Sequence, residues 1–280
     1  MDNSLCVSVP ARLADRIESK VLVIRSALCA DVVTAYQSRK DSIRGIQLDR
    51  LGDDLFRLAE LPVGLSLTVK MHPRDAARVH TSSWLSDHFA LGVLMDVDVG
   101  LLQGVRIVTS AGVPVILNLD EVRDTGELIS VFHYYVHEPH LQVPVEFFHS
   151  MFNAYLNKAP LSLEDMYPES PDAFLYVDES GGITSSARLA SVGTFFGEMA
   201  DGIRIDKDSP AYKGLLDRRK NIFLSGSACG ACEHFDFCGG YLHAAEKEFD
   251  CEPFVKAFEE MKATAREIAA DLAKADRPGE

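Results

Sequence analysis

Residues 229–240 read CGACEHFDFCGG, and this stretch holds three of the six cysteines in the chain. With one more downstream, the cysteines at positions 229, 232, 238 and 251 have the spacing C-x2-C-x5-C-x12-C. Two cysteines separated by two residues can hold one metal centre from a single tight turn, and the glycines of the stretch allow such turns. The sequence therefore predicts a four-thiolate site formed by Cys229, Cys232, Cys238 and Cys251.

Four thiolates match either a structural zinc site or an iron–sulfur cluster. Structural zinc sites usually draw on two close pairs of ligands, whereas twelve residues separate the last two cysteines here. Three clustered cysteines with one distant cysteine are more typical of a cubane cluster. We therefore favour a [4Fe–4S] cluster, with zinc as the alternative and unliganded thiols as the third reading. A bound metal can also serve only to brace a small domain.

The composition limits the classes of function. The chain has 280 residues, of which 47% are hydrophobic and 25% charged, as in an ordinary globular protein. Its net charge of −14 argues against nucleic acid and anionic membranes as main partners, because both would repel it. We find no apolar run of the roughly 20 residues that span a bilayer and no signal peptide at the start. A reducing cytoplasm, where cysteines are free or bind metals, is the predicted compartment.

The first 165 residues alternate between short runs rich in Val, Ile and Leu and amphipathic stretches. This alternation predicts parallel strands joined by helices. Six βα units are too few for a closed eight-stranded barrel, so the sequence predicts a partial (β/α)6 barrel, closed by an apolar helix over Val145–Leu156. The predicted strands are Val21–Arg25, Ile43–Leu48, Val63–Lys70, Phe89–Met95, Val113–Leu119 and Leu128–His137.

The residue composition changes near Ala159–Asp172, where three prolines fall in a short acidic stretch. We interpret this stretch as a linker between a first domain, 1–165, and a second, 166–280. The second domain begins with a hairpin-like run, Phe174–Asp178, and a turn at Gly181-Gly182. It ends in a helix from about Pro253, whose apolar residues recur at helical spacing.

The order of features from Phe174 to Cys251 resembles the SPASM domain, the C-terminal auxiliary-cluster module of radical S-adenosylmethionine enzymes that modify peptides and proteins. This resemblance implies that the βα units form the family's partial barrel and that the four cysteines hold an auxiliary [4Fe–4S] cluster. The residues that carry it are Phe174-Leu175-Tyr176-Val177-Asp178, Phe196-Gly197-Glu198-Met199, Asp208-Ser209-Pro210, Cys229-Gly230-Ala231-Cys232 and Cys238-Gly239-Gly240.

The departures from the family are as informative. Members bind their catalytic cluster through C-x3-C-x2-C after the first strand, where this chain has only Cys29 within residues 26–33. One thiolate cannot hold a cluster that needs three thiolates and an open iron. At the places of a further auxiliary cluster the chain has Ser185 or Ser186 and Leu242. The resemblance thus implies a degenerate member that keeps one complete ligand set.

These observations predict a non-catalytic accessory protein that does not cleave S-adenosylmethionine by itself. The barrel would dock a precursor peptide or a partner maturase enzyme. A cluster with four protein ligands has no open coordination site, so its role would be electron transfer or structural support. Two alternatives stay open: an iron–sulfur electron-transfer or redox protein, and a barrel metalloenzyme with histidine ligands and a structural zinc at the four-cysteine site.

Several other polar residues fall near predicted strand ends. His133, His137 and His140 end the predicted sixth strand, where a site at the barrel mouth is conceivable, although core or rim positions are favoured. Four further polar residues are predicted to be helix caps, with polar residues of a pocket as the alternative, and both N-terminal cysteines are predicted to be buried thiols. The predicted caps are Asp96, Asp98, Asn118 and Asp120, and the predicted buried thiols are Cys6 and Cys29.

Overall fold

The computed structural model describes residues 5–18, 21–167, 169–243 and 249–275. Its strands are β1 (Cys6–Pro10), β2 (Val21–Ser26), β3 (Ile43–Leu48), β4 (Ser66–Met71), β5 (Ala90–Val97), β6 (Val115–Val122), β7 (Val145–Glu146), β8 (Phe174–Val177), β9 (Gly182–Thr184), β10 (Gly197–Met199) and β11 (Ile203–Ile205). Its α-helices are α1 (Cys29–Arg39), α2 (Arg78–Thr81), α3 (Trp84–His88), α4 (Leu101–Ser110), α5 (Leu128–His137), α6 (Phe148–Leu156), α7 (Leu163–Met166), α8 (Ala187–Ser191), α9 (Pro210–Leu216), α10 (Arg218–Leu224), α11 (Phe235–Cys238) and α12 (Glu252–Ala275). Short 3-10 helices span Ala11–Arg16, Leu55–Glu60, Pro73–Asp75, Ala228–Ala231 and Tyr241–His243.

These strands form one sheet in the order β11-β10-β9-β8-β1-β2-β3-β4-β5-β6-β7. From β8 through β1 to β7 every neighbouring pair is parallel, and β8 to β11 form an antiparallel meander at one end. The chain is therefore an α/β protein with a large, mostly parallel sheet. The parallel strands follow the order of a (β/α)8 barrel, but no ladder joins β7 to β8 in the part of the chain that the structure describes.

Strand β1 was not among the predicted strands, and it lies at the centre of the sheet between β2 and β8. Its alternate residues Val7 and Val9 are fully buried, but five residues ending in a proline give little sequence signal. The strand before Cys29 is consequently the second strand rather than the first. The segment that follows β1, Ala11–Arg16, contains no cysteine.

The predicted sixth strand, Leu128–His137, is wrong: these residues form α5. Leu128, Val131 and Phe132 are buried at spacings of three and four residues, which is the period of a helix face. The run is rich in β-branched and aromatic residues, and this composition misleads when the period is not examined. The predicted apolar helix over 145–156 exists as α6, preceded by the two-residue strand β7.

The stretch predicted to be a linker is structured. Helix α7 begins with a capping box, in which the Ser162 side chain accepts from the Asp165 N–H and the Asp165 carboxylate accepts from the Ser162 N–H. Strand β8 then pairs with β1, so the sheet runs across residue 165. The predicted hairpin is confirmed as β8 and β9, and the predicted C-terminal helix as α12, with its apolar face on α5 and α6. Within the described residues, no helix combines the length and apolarity needed to cross a membrane.

A buried carboxylate fastens the start of the C-terminal part. Glu169 is 3% exposed, and Arg188 binds it through two nitrogens, with Nη2 2.7 Å from Oε2 and Nε 3.2 Å from Oε1. Arg218 also donates to Oε2, and the Ser186 hydroxyl donates to Oε1 at 2.6 Å. The Ser185 hydroxyl donates to the Glu169 carbonyl at 2.7 Å. This arrangement, named here the Glu169 clamp, satisfies the buried charge with two cations and a hydroxyl.

The Glu169 clamp joins segments that are far apart in sequence. Arg188 lies at the start of α8, Arg218 at the start of α10, and Glu169 between α7 and β8. Burial acts to raise the pKa of Glu169, but the two guanidinium groups outweigh it, and the pKa is lowered. Arg188 also donates to the Tyr241 carbonyl at 2.7 Å and lies 4.0 Å from the centre of the Tyr241 ring. The clamp therefore holds the segment that follows the third cysteine of the motif.

The clamp yields a stability prediction. Glu169→Gln would leave two buried guanidinium groups without their counter-charge, so we expect a loss of about 3–5 kcal/mol in the free energy of unfolding. Urea unfolding followed by circular dichroism measures this loss. The matched control is Glu179→Gln, which removes an exposed ion pair with Arg12 and should cost under about 1 kcal/mol.

The same pair of variants gives a pH test. Because the folded-state pKa of Glu169 lies below its unfolded value, its stabilisation is complete above the unfolded pKa and is lost as pH falls through the lowered pKa. The acid-induced fall in stability should be shallower in Glu169→Gln than in Glu179→Gln. Equal unfolding midpoints for the two variants at neutral pH would contradict the assigned role of the clamp.

Candidate metal centre

The four cysteines of the C-terminal motif line one cavity of about 210 Å³. Cys229 and Cys232 come from the 3-10 turn before α11 and the residue after it, Cys238 ends α11, and Cys251 directly precedes α12. None of them is in a disulfide. The other residues of the wall are mostly apolar: Ala228, His234, Phe235, Gly240, Leu242, Val255 and Phe258.

Two of the thiols have raised pKa values for a shared reason. Burial raises the pKa of Cys238, although the backbone N–H groups of residues 240–242 act to lower it. Burial and Cys232 likewise raise the pKa of Cys229, although the Ser227 side chain acts to lower it. Both groups are therefore thiols rather than thiolates when no cation is bound. N–H donors near cysteine sulfur also tune the potential of iron–sulfur centres.

The cysteines also affect one another electrostatically. The pKa of Cys251 is raised to about 12, first by burial and then by Cys238, Cys229 and Cys232. Like charges raise one another's pKa only when they are close, so the four sulfurs share one environment. In the absence of a cation, this environment keeps Cys251 protonated at neutral pH. A bound cation inverts that preference, and its binding releases protons.

Two consecutive glycines let the chain turn back over Cys238. Gly239 and Gly240 have φ angles of 65° and 83°, in the left-handed region. A Cβ on Gly239 would lie 2.8 Å from the Cβ of Glu164, and a Cβ on Gly240 would overlap the Cδ1 atom of Ile222. The positive φ angles at both positions and the close approach of α7 to Gly239 favour glycine in this turn. This explains the Gly-Gly pair after the third cysteine.

The donor set suits a metal centre, although the side chains do not already form a single-ion site. Among the described residues, no group of three or more His, Cys, Asp or Glu side chains is placed so that it could hold a metal ion. The sulfurs instead border a cavity of about 210 Å³. Four thiols around a mostly apolar wall are a donor set that is compatible with a multi-atom sulfur-ligated cofactor.

The positions that the resemblance assigns to the ligands of a further auxiliary cluster, Ser185 or Ser186 and Leu242, make other contacts in this structure. Ser185 and Ser186 belong to the Glu169 clamp, where their hydroxyls bond to the carbonyl and the carboxylate of Glu169. Leu242 is 3% exposed and lines the cavity of the four cysteines. The resemblance would place cysteine ligands between β9, α8 and residue 241. In this chain, the hydrogen bonds of the Glu169 clamp occupy that region.

The two N-terminal cysteines lie apart from this centre. Cys29 is 1% exposed at the first turn of α1, where its N–H and that of Ala30 donate to Asp54. Burial and the neighbouring carboxylate raise its pKa to about 12, which makes this thiol unreactive. Cys6 is half-buried in β1, and burial raises its pKa as well. Cys29 matches the prediction of a buried thiol, and Cys6 matches it only partly.

The histidines do not meet at the edge of the sheet. Because Leu128–His137 is a helix, His133 and His137 lie on its outer face, and both are exposed. Their ring centres are 5.8 Å apart, and His133 Nε2 lies 3.6 Å from Glu260 Oε2 on α12. His140 follows the helix and is also exposed. The predicted sixth strand that would have brought these histidines to a barrel mouth is a helix, and all three side chains are exposed rather than in the core.

The predicted caps are instead polar groups at the carboxyl ends of the parallel strands. Helix α4 begins after Gly100, with no side-chain cap. Asp96 and Asn118 are buried on β5 and β6, and the Asn118 amide donates to Asp96 Oδ1 at 2.8 Å. Asp98 accepts from His72 Nε2 at 3.1 Å, and its pKa is lowered chiefly by the N–H of Val99. These side chains bond across strands, which the spacing along one strand does not reveal.

Two cavities open at this carboxyl edge of the sheet. One, of about 340 Å³, is lined by Asp49, Arg50, Leu51, Lys70, Met71, His72, Asp75, Arg78, Asp96 and Arg123. The other, of about 250 Å³, includes Ser8, Gln47, Asp120, Tyr167, Glu169, Tyr176, Ser185, Ser186 and Tyr241 in its wall. Asp120 lies near the Tyr167 hydroxyl, whose pKa is raised by burial, Glu146 and Asp120. Binding sites of parallel α/β proteins lie at this edge.

The comparisons with known proteins do not place the chain in a family. No family model and no curated protein matches it. Among solved structures, it is similar to the N-acetylneuraminic acid (sialic acid) synthetase from Leptospira borgpetersenii serovar Hardjo-bovis, with a TM-score of 0.33 and 9% sequence identity. The similarity covers 81% of this chain and 87% of that chain. Similarity at this level assigns neither a fold family nor an activity.

The Gly-Gly turn yields a further stability prediction. Gly240→Ala places a side chain at φ 83° and against Ile222, so we expect it to cost at least about 1–2 kcal/mol in the free energy of unfolding. The matched control is Gly214→Ala in α9, where a Cβ meets nothing within 4 Å. This control should stabilise the protein by about 0.5–1 kcal/mol. Urea unfolding measures both, and equal effects of the two substitutions would exclude a strained turn.

Proposed function

We propose that this chain is a non-catalytic, radical S-adenosylmethionine/SPASM-like accessory protein that holds one [4Fe–4S] cluster. Cys229, Cys232, Cys238 and Cys251 supply the donors for it. The finer architecture in this proposal is a partial barrel followed by an auxiliary-cluster domain, located in the cytoplasm. The observation that carries the proposal is that four thiols line one mostly apolar cavity.

The donor set limits what the bound group can do. A cluster held by protein ligands at every iron supplies one-electron transfer or mechanical support, and it offers no site for substrate. The chain itself provides the thiolates, the N–H groups of residues 240–242 and the glycine turn that orients them. Tyr241 connects this turn to the Glu169 clamp through its carbonyl and its ring. The same contacts therefore stabilise both the region of the proposed cluster and the segments at the end of the sheet.

The carboxyl edge of the sheet is the surface that we assign to the partner. Its larger cavity carries Arg50, Lys70, Arg78 and Arg123 beside Asp49, Asp75 and Asp96, so charges of both signs line it. Such a mixed surface can pair with charged groups of either sign on a peptide or protein. A precursor peptide or a maturase enzyme is the partner that we assign to it.

Metal analysis after anaerobic purification tests the cluster. We expect about four irons and four sulfides per chain, with thiolate-to-iron charge-transfer absorbance. Cys238→Ser should lose most of the iron because it removes the sulfur that receives the N–H groups. Cys6→Ser, which changes a thiol in β1 far from the motif in sequence, should keep it.

Two outcomes would contradict the cluster. One zinc per chain and no sulfide would replace it with a structural zinc site, the alternative that four cysteines also allow. Iron content that does not change in Cys238→Ser would show that the iron is bound elsewhere. A reversible redox couple without any bound partner would instead favour the electron-transfer alternative.

Affinity purification from the native host tests the partner. We expect the tagged chain to retain a precursor peptide or a peptide-modifying enzyme, identified by mass spectrometry. Arg78→Glu, at the carboxyl-edge cavity, should reduce its capture at least tenfold by charge reversal. Arg266→Glu on the exposed side of α12 is the matched control and should leave capture unchanged. Equal capture by both variants would exclude this surface.

A further inference from the structure

One face of the parallel sheet is lined by small and polar side chains. Successive residues of a strand point to opposite faces, so Val7 and Val9 of β1 lie on one face and Ser8 lies on the other. The strand register carries the face of Ser8 across the sheet to Gln47 on β3 and Gly92 on β5. Barrel interiors are usually filled by Val, Ile and Leu. A Cβ on Gly92 would meet nothing within 4 Å, so this face leaves space unfilled.

The cavity of about 250 Å³ lies on this face of the sheet. In the sheet order, β8 and β5 are separated by four strands, yet both contribute to the wall. The sheet therefore curves around the cavity, and Tyr241 completes the wall from outside the sheet. A concave space with aromatic walls and a few polar groups is the usual form of a small-ligand site. The polar and apolar side chains that the strands β1, β3, β5, β6 and β8 contribute include Ser8, Gln47, Leu94, Asp120 and Tyr176.

Two hydroxyls in this wall lack hydrogen bonds. Ser8 is 3% exposed and Tyr241 is 1% exposed, and neither hydroxyl has a partner among the described residues. Their oxygens are nevertheless not sealed within the protein, so they open on the cavity that both residues line. Buried hydroxyls normally have a partner, and two that face one cavity indicate a ligand that supplies it. The fully enclosed side-chain atoms without a partner in the described part of the chain belong to other residues, Arg25, Thr184, Arg218 and His234.

The charges around the cavity favour an uncharged ligand. Among the described residues, no lysine or arginine lines it, so an anion would find no counter-charge in the wall. A cation would be repelled by Arg25 and Arg188, whose guanidinium groups lie 3.8 Å and 4.0 Å from the centres of two tyrosine rings of the wall. Of the carboxylates in the wall, Glu169 is already paired with arginines, and Asp120 already interacts with other groups of the protein.

We propose that this cavity binds a small, uncharged polyol of the size of one sugar ring. Hydroxyl groups of such a ligand both donate and accept, as do the hydroxyls of Ser8 and Tyr241 and the amide of Gln47, which has no partner among the described residues either. The C–H faces of a sugar ring pack against Leu94, Phe174 and the tyrosine rings of the wall. This site requires neither the cluster nor the partner of the proposed function.

Ligand-observed nuclear magnetic resonance of the full chain tests the class of ligand. The probes are a panel of neutral hexoses, pentoses and inositols, each with its phosphorylated or amino derivative. We expect at least one neutral member to bind with a millimolar or lower Kd, and its charged derivatives to bind at least tenfold more weakly. No binding by any neutral member would overturn the inference, and so would tighter binding of a charged derivative.

Removal of the two free hydroxyls tests the location. Tyr241→Phe and Ser8→Ala should each weaken binding of the neutral sugar about three- to tenfold, because each deletes one hydrogen-bonding group. Tyr155→Phe is the matched control, because it deletes a hydroxyl outside this cavity beside Phe237, and its Kd should equal that of the wild type.

A third variant keeps the test independent of folding defects. Urea unfolding shows whether each variant keeps the wild-type midpoint, and Gln47→Leu, on another strand of the wall, replaces any variant that does not. It should weaken binding by a similar factor. Wild-type affinity in the folded variants of the wall would place the sugar elsewhere on the protein and overturn the inference.

Discussion

The carboxylate of Glu169 is the constraint on which the rest of the C-terminal part depends. A single buried negative charge must be matched within the protein, and here two arginines and a serine from separate segments match it. Those segments include the starts of α8 and α10, and through Arg188 the carbonyl of Tyr241. The ion pairs and the hydrogen bond that neutralise Glu169 therefore fix the positions of the segments around the turn that carries Cys238.

The backbone turn after Cys238 then brings the cysteines together within these segments. The left-handed glycines after Cys238 return the chain toward α7 and α10, and the returning N–H groups reach the sulfur. Cys251 arrives from the start of α12, whose apolar face is anchored by Phe254, Phe258 and Met261. Four thiols that would repel one another as thiolates are held together by elements packed for other reasons. In the function proposed above, a cationic cofactor would relieve that repulsion.

The sequence-based predictions held where the signal was local. The runs at β3 and β8, the turn between β8 and β9, and α12 carry their periodicity within a few residues. Leu128–His137 failed because β-branched and aromatic content suggested a strand, whereas the spacing of buried residues is helical. Asp96 and Asn118 are not helix caps but match the alternative of pocket polar residues, because their partners lie on neighbouring strands.

By itself, the sequence determined the identity and spacing of the four cysteines, the glycine turn that goes with them, and the strand and helix alternation of an α/β protein. These are local properties, set by covalent order, backbone freedom and side-chain periodicity. The tertiary structure alone decided that β8 pairs with β1 and that Cys29 follows the second strand. It also decided that Ser185 and Ser186 bond to the buried Glu169 at the positions where the resemblance would place further cysteine ligands. Each of those outcomes depends on contacts between residues distant along the chain, because pairing, burial and charge compensation are settled only when the segments pack together.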